Sequence, residues 1–473
     1  MQGRTRRLPL RVILFAFAVL VGACGGGDDE GSATTAAPAV DAGTETTAAV
    51  GDDGTETTAA MSSEPVVVCE LAYYTGEFAA YGESLTADIA FPLDEVINLD
   101  PPLGRAWDLV SEDIGTVGEG QAARTCLEQH GAEILVSEAH GYQTYRSWLL
   151  EWIAEHDSPL GPSVHGGGIP GNLGGTAEEP LFRAQGLDEA LGFTGIFEAQ
   201  DIGAKTIVIF ATQVEGFQVA ASAAEKAANE LGIEVLSRID VPPEQASYRA
   251  EAQAIADLNP DAVIVQAGSV ESAALVNAAA EAGASLNWIG ESGWVLNEFV
   301  SALNETALTT QKSLGFAGVG YNDQTPAWDF YEQLYLASDI PPEGQEDPAG
   351  IYHYTTYDLM VQSALAVEYG GSYKASDWAP AMHEVGEAPG TVCYTYADCL
   401  AEIRAGNDID YEGITGSGVY TEHGVNDQFQ SYTPINQDGS FGEQKVFDAQ
   451  RVLDLTNLIS IKADCNDNNE CSW

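Results

Sequence analysis

The sequence predicts an α/β protein of two lobes, each a doubly wound parallel sheet. Three observations carry that prediction. Apolar runs of strand length recur without the polar alternation of a half-exposed strand, so they read as strands buried on both faces. Amphipathic helical stretches stand between them, which is the strand–helix alternation of a parallel sheet. The pattern also falls into two blocks, each too short for one large doubly wound domain. A chain of 473 residues with 45% apolar content can build both cores.

The first block opens with "VVVCELAYY" (66–74), a strand bounded by Thr75-Gly76. A helical stretch near 79–97 follows, then a strand "AWDLVSE" (106–112) and a helix over 119–129. "AEILVSE" (132–138) reads as the third strand, and "YRSWLLEWIAEH" as the helix after it. In the second block "KTIVIFAT" (205–212) precedes a helix over 217–231, with Val219, Ala223, Ala227 and Leu231 on one face and Gly232 as its stop. "IEVLSRIDV", a helix near 246–257, "PDAVIVQA" (260–267), a helix over 270–282 closed by Gly283, and "LNWIGES" (286–292) complete it. The third part, 316–473, differs. Helices near 325–338, 350–369, 376–385 and 396–404 precede short strands in "GSGVYTEHGVNDQFQSYTPINQDGSF". Such a part is expected to give helices to one lobe and strands to the other.

Charge and the first 64 residues bound where the protein works. Eighteen Lys+Arg against 72 Asp+Glu give a net charge of −54, which repels nucleic acid and anionic lipid alike. Arg4, Arg6, Arg7 and Arg11 precede the apolar run "VILFAFAVLVGA", the pattern of an export signal rather than a membrane span. "VGAC" resembles the lipobox of bacterial lipoproteins, so residues 1–24 are expected to be a signal with Cys24 as the lipidated residue. "TRRLPL" matches a twin-arginine signal weakly and leaves both export routes open. Residues 25–64 are Gly, Asp, Thr, Ala and Ser, with "GTETTAA" occurring twice, and read as a disordered leash.

Six further cysteines are an even set, as disulfides outside the cytoplasm require. Cys393 with Cys399 and Cys465 with Cys471 would close short loops, leaving Cys69 for Cys126. No histidine or CxxC spacing supports a zinc site, so no metal and no cofactor are expected.

Ligands of open parallel sheets bind where loops leave the carboxyl ends of the strands. The loops there are "AHGYQT", "VHGGG", "QVEGFQ", "GSVES" and "ESGW". They offer His140, Tyr142, His165, Glu215, Ser269, Glu291 and Trp294, a mixture of aromatic faces, hydroxyls and carboxylates suited to a small polar solute, even a cationic one. Catalysis has less support. "HGGG" at 165–168 looks like an esterase oxyanion loop, but no GxSxG elbow accompanies it. P-loop, dinucleotide-binding and HExxH motifs are missing too.

Four stretches resemble a known family, the type I periplasmic substrate-binding proteins of the Leu/Ile/Val-binding kind that serve ABC importers. They are "YYTGEFAAYGESLTADIAFPLDEVIN", "PDAVIVQAGSVESAALVNAAAEAGASLNWIGESG", "YTTYDLMVQSALAVEYGGS" with its Tyr357-Asp358 pair, and "YEGITGSGVYTEHGVND" with "QDGSF". The resemblance implies two lobes joined by three crossovers and closing on a ligand, with 65–186 and 318–405 in lobe 1, 187–317 and 406–455 in lobe 2, and 456–473 a tail. It implies a monomeric, lipid-anchored extracytoplasmic protein, not an enzyme, that works with ABC permease subunits. It places His140, Tyr142 and His165 on the family's carboxylate-binding side, Glu215 where the family has a tyrosine, and Glu291 at or beside the acid that takes the ligand's ammonium group. The carboxylate side has lost its hydroxyls, so an amine, an amide or a short peptide-like solute joins the amino acids as an expected ligand. A ligand-binding partner of a sensor shares this architecture, and a lipid-anchored hydrolase is the remaining alternative.

Overall fold

Alternation along the first strand sets the layers of the first half. The computed structural model describes residues 64–76, 79–137, 141–165, 169–426, 429–466 and 471–472, so Cys24 and nearly all of the leash lie outside it. Strands β1 (Val66–Ala72), β2 (Trp107–Asp113), β3 (Ile134–Val136), β4 (Gly161–Ser163) and β5 (Leu181–Arg183) form the first half. β1 lies between β2 and β3, parallel to both, with Val66 opposite Trp107 and Val68 opposite Ile134. Parallel bridges at Ile134–Leu160 and Ser137–Ser163 carry the sheet on to β4, which pairs with β5. Successive side chains point to opposite faces. Val66 and Val68 therefore enter one apolar cluster, and Cys69 and Leu71 the other.

The second half repeats the arrangement. It holds β6 (Thr206–Thr212), β7 (Glu234–Val241), β8 (Ala262–Gln266), β9 (Asn287–Gly290) and β10 (Ser313–Val319). Later in the chain come β11 (Thr391–Cys393), β12 (Ile409–Tyr411), β13 (Gln430–Pro434) and β14 (Lys445–Val446). The second sheet has the order β14-β13-β10-β9-β8-β6-β7 and is parallel from β7 to β10, while β13 runs antiparallel to β10 and to β14. Val208, Phe210, Val263 and Val265 face one layer; Ile207, Ile209 and Ile264 face the other. Burial of each such side chain favours folding by roughly 1.5–3 kcal/mol.

Helix Asp188–Asp201 was not expected from the sequence. All its residues from Asp188 to Ala199 are buried, so no polar face marks its period. Gly192 lets it approach helix Glu215–Glu230, because a methyl at that position would run into the backbone of Ala220. β10 and helix Ala449–Ile459 were likewise unanticipated.

The third part contributes to both halves. Trp328, Tyr331, Trp378 and Leu400, from its helices, bury in the first half, and β13 and β14 extend the second sheet. The segment from 406, expected with the second half, instead begins in the first. Ile409, Tyr411, Ile414 and Tyr420 bury there because β12 pairs with β11. Asp358 fixes this segment, accepting from the Tyr411 hydroxyl (2.9 Å) and from the backbone N–H and hydroxyl of Thr415 (2.8 Å each).

Up to its last helix, the described chain changes halves three times: between β5 and helix Asp188–Asp201, after β10, and between Asn426 and β13. Just before the first change stands Arg183, fully buried at the end of β5. Its guanidinium donates to the carbonyls of Ile169, Pro170, Leu173 and His423, and burial pulls its pKa down to about 10. Disulfides join Cys69 to Cys126, Cys393 to Cys399 and Cys465 to Cys471, the three pairings expected. Among the described residues, no helix is long and apolar enough to cross a membrane.

Candidate functional site

A cavity opens between the halves at the carboxyl ends of the strands, where ligands of such sheets bind. The first half supplies Tyr73, just past β1, and Tyr81 and Leu85, one turn apart on helix Ala79–Glu95. It also supplies His165, two residues past β4, and Tyr352 at the start of helix Ile351–Gly370. From the second half come Asp188 and Leu191, Phe217 on the first turn of its helix, Gln266 at the end of β8, and Glu291 directly after β9.

The two sides touch. Within the first half Tyr81 and Tyr352 pack edge to face with ring centroids 5.6 Å apart, and the Tyr352 hydroxyl lies 3.4 Å from Ser292 Oγ across the cleft. Glu291 caps the turn Ser292–Val295: its Oε2 accepts the Gly293 N–H at 2.7 Å, while Oε1 is buried without a hydrogen-bond partner. Burial pushes its pKa up to about 7, against the opposing pull of the Gly293 and Ser292 donors. Burial, with Glu291 nearby, also drives the Tyr81 hydroxyl well above the ordinary phenol range. On the opposite wall His165 Nδ1 stands 3.5 Å from Asp188 Oδ1, both side chains buried. No lysine or arginine is among the described residues lining this cavity. Aromatic faces around a buried carboxylate such as Glu291 attract a cation through both the ring quadrupoles and the charge.

Of the seven residues read from the sequence, the cavity gathers His165 and Glu291. His140 lies outside the described residues, and so does the Glu215 side chain, although Glu215 itself opens its helix beside the cavity-lining Gly216. Three expectations are corrected. Tyr142 is buried in the first half and donates to Glu179 Oε1 (2.8 Å), which the Arg146 guanidinium also holds. Trp294 stacks on Phe299 at 4.0 Å inside the second core, because Gly290 leaves it room to fold inward. Ser269 stands behind the wall, its hydroxyl donating to the Gly293 carbonyl (2.8 Å) and so shaping the Glu291 turn.

Tyr73, Tyr81, Asp188, Phe217, Gln266 and Tyr352 were missed. Tyr73 and Tyr81 lie inside the quoted stretch "YYTGEFAAYGES", and a tyrosine after a strand was a usable signal. Asp188 was marked only by standing, with Glu189, in a largely apolar run. Among the described residues, no group of three or more His, Cys, Asp or Glu is placed to hold a metal ion.

The family model described as "Periplasmic binding protein" matches residues 65–387. Solved structures share the architecture. A leucine binding protein, LivK, from Thermotoga maritima MSB8 is 16% identical, with 82% of this chain and 99% of that one covered at a TM-score of 0.62. A branched chain amino acid ABC transporter protein from Thermus thermophilus with bound valine is 12% identical, covering 82% and 98% at 0.63. A solute binding protein of an ABC transporter from R. palustris, in complex with benzoate, is 13% identical, covering 86% and 100% at 0.60. No curated protein matches the chain in sequence.

Proposed function

Because this chain belongs to the periplasmic binding protein family, whose model spans residues 65–387, we propose that it captures a small, positively charged solute between its halves and delivers it to the permease subunits of an ABC importer. The observation that carries the solute class is Glu291. A buried carboxylate with one oxygen unpartnered, in a cavity walled by Tyr73, Tyr81, Tyr352 and Phe217, is satisfied by an ammonium group. An anion such as benzoate, the ligand of the R. palustris structure, would meet Asp188 and Glu291 with no lysine or arginine among the described lining. An amine or amino-acid amide meets these walls better than a free carboxylate does. Delivery to an importer is supported by the ABC transporter proteins that share this fold.

The protein works as a monomer held at the outer face of the membrane by a lipid on Cys24, with residues 25–64 as the leash. The lipobox-like "VGAC" supports that anchor, and Cys24→Ser should move the protein from the membrane fraction to the soluble one.

Thermal shift and calorimetry against organic ammonium compounds, amino acids, amides, benzoate and fatty acids test the ligand. A cation at a hundred times its Kd should add about 2.7 kcal/mol of stability. Binding of carboxylates to the exclusion of amines would overturn the cation assignment. Silence across the whole panel would count against capture itself.

A further inference from the structure

The chain joins its halves a fourth time after the last helix. Helix Ala449–Ile459 is fastened to the second half: Leu455 and Ile459 bury in the cluster of Phe197 and Phe447. Arg451 Nη2 holds Asp201 Oδ1 at 2.9 Å, and its guanidinium lies 4.3 Å from the Phe197 ring centroid. Ala463 is already bound to the first half. Its N–H donates to Asn172 Oδ1 (2.8 Å), and Asn172 Nδ2 donates back to the Ala463 carbonyl (2.9 Å). Beyond it, Cys465 and Cys471 close a small loop by their disulfide. Ala463 and Cys471 pack on the cluster containing Tyr142 and Leu149, where Arg146 Nη1 reaches Cys471 Sγ at 3.2 Å.

Between the two anchorages, the Ile461 N–H donates to Glu189 Oε1 at 3.0 Å. Glu189 adjoins Asp188 in the cavity wall. The span from Ile459 to Ala463 is four residues, which reach at most about 14 Å when fully extended. A wide swing of the halves at this edge therefore cannot occur with both ends docked.

We propose that residues 460–466 act as a strap that limits the opening of the cleft and biases the ligand-free protein toward the closed arrangement. The Asn172–Ala463 pair is the clasp. Its release, not the bending of the three crossovers alone, sets how far the halves part. Because the two ends are tethered, the clasp re-forms at high effective concentration whenever the halves approach.

The test needs no solute. Fluorophores placed through non-natural amino acids at the exposed positions Glu155 (first half) and Glu230 (second half) report the separation of the halves in the full chain. Single-molecule energy transfer should show a dominant short-distance state. Asn172→Ala removes both clasp hydrogen bonds and should lower the short-to-long ratio by about tenfold. A chain ending at Ser460 should shift it at least as far. Unchanged distances in Asn172→Ala, with native circular dichroism, would overturn the strap whether or not the shortened chain folds. Such a result would leave the solute proposal standing, and failure of every ligand would leave the strap standing.

Discussion

The hydroxyl of Tyr81 occupies the space that a side chain on Gly293 would need. One residue belongs to the first half and the other to the turn that orients Glu291, so their contact is where the cleft closes. A methyl group at Gly293 would overlap both that hydroxyl and Glu291 Oε1. Gly293→Ala is expected to weaken the first ligand identified by at least about tenfold, mainly through faster dissociation. Ligand-free stability should change by less than about 1 kcal/mol. Stopped-flow dissociation and urea unfolding check the two halves of that statement.

Glu291 predicts a pH dependence. Its folded pKa is raised from 4.5 to about 7, so between these values the folded protein binds a proton that the unfolded chain has released. Stability from this group is therefore fully present below about pH 4.5 and is lost as pH rises through about 7, a change of roughly 3 kcal/mol. Glu70, buried on β1 with donors Thr86 and Ser111, is raised to about 7 chiefly by burial and has the same sign. Glu291→Gln and Glu70→Gln should each flatten part of the slope in urea unfolding between pH 4.5 and 8. Calorimetry of a cationic ligand at pH 6.5 in buffers of different ionisation enthalpy should also show proton release for the wild type and none for Glu291→Gln.

Asp358 ties helix Ile351–Gly370 to β12 and the segment after it through three accepted hydrogen bonds. Asp358→Ala strands the Thr415 N–H and the Tyr411 hydroxyl and should cost about 2–4 kcal/mol. Gly413→Ala should destabilise as well, since a methyl there meets the Asp358 carboxylate. Equilibrium unfolding of the purified variants measures both.

The disulfides should differ in weight. Cys69–Cys126 closes a separation of 57 residues, whereas Cys393–Cys399 and Cys465–Cys471 each close 6. Loop entropy gives roughly 4 kcal/mol for the first and roughly 2 for each of the others. Paired Cys→Ala variants in urea should keep that order.

Strands such as β1 and β8 were legible because a parallel strand covered on both faces has to be a continuous apolar run, and "VVVCELA" and "AVIVQ" are such runs. Helix Glu215–Glu230 was legible because one of its faces meets solvent and the period survives. Helix Asp188–Asp201, buried almost all round, lost its period and with it the signal for Asp188. Glu291 and His165 could be found because a strand end is a position in sequence. Tyr352 could not, because it reaches the cavity from a helix more than a hundred residues past β5. Trp294 and Tyr142 misled for a simple reason: a loop position does not say which way a large ring turns, and both rings found a core to enter.

Arg183 governs how the molecule can move. A guanidinium gripped by four carbonyls turns β5 and the loop above it into one stiff plate, ending one residue before the chain sets out for the other side. The bending that this first crossover contributes when the walls come together is thereby confined to the few bonds from Ala184 to Leu187, at whose far end sits Asp188. One axle of the machine and one wall of its cargo hold are thus neighbours in the chain, so a solute that pulls on Asp188 pulls almost directly on that crossover.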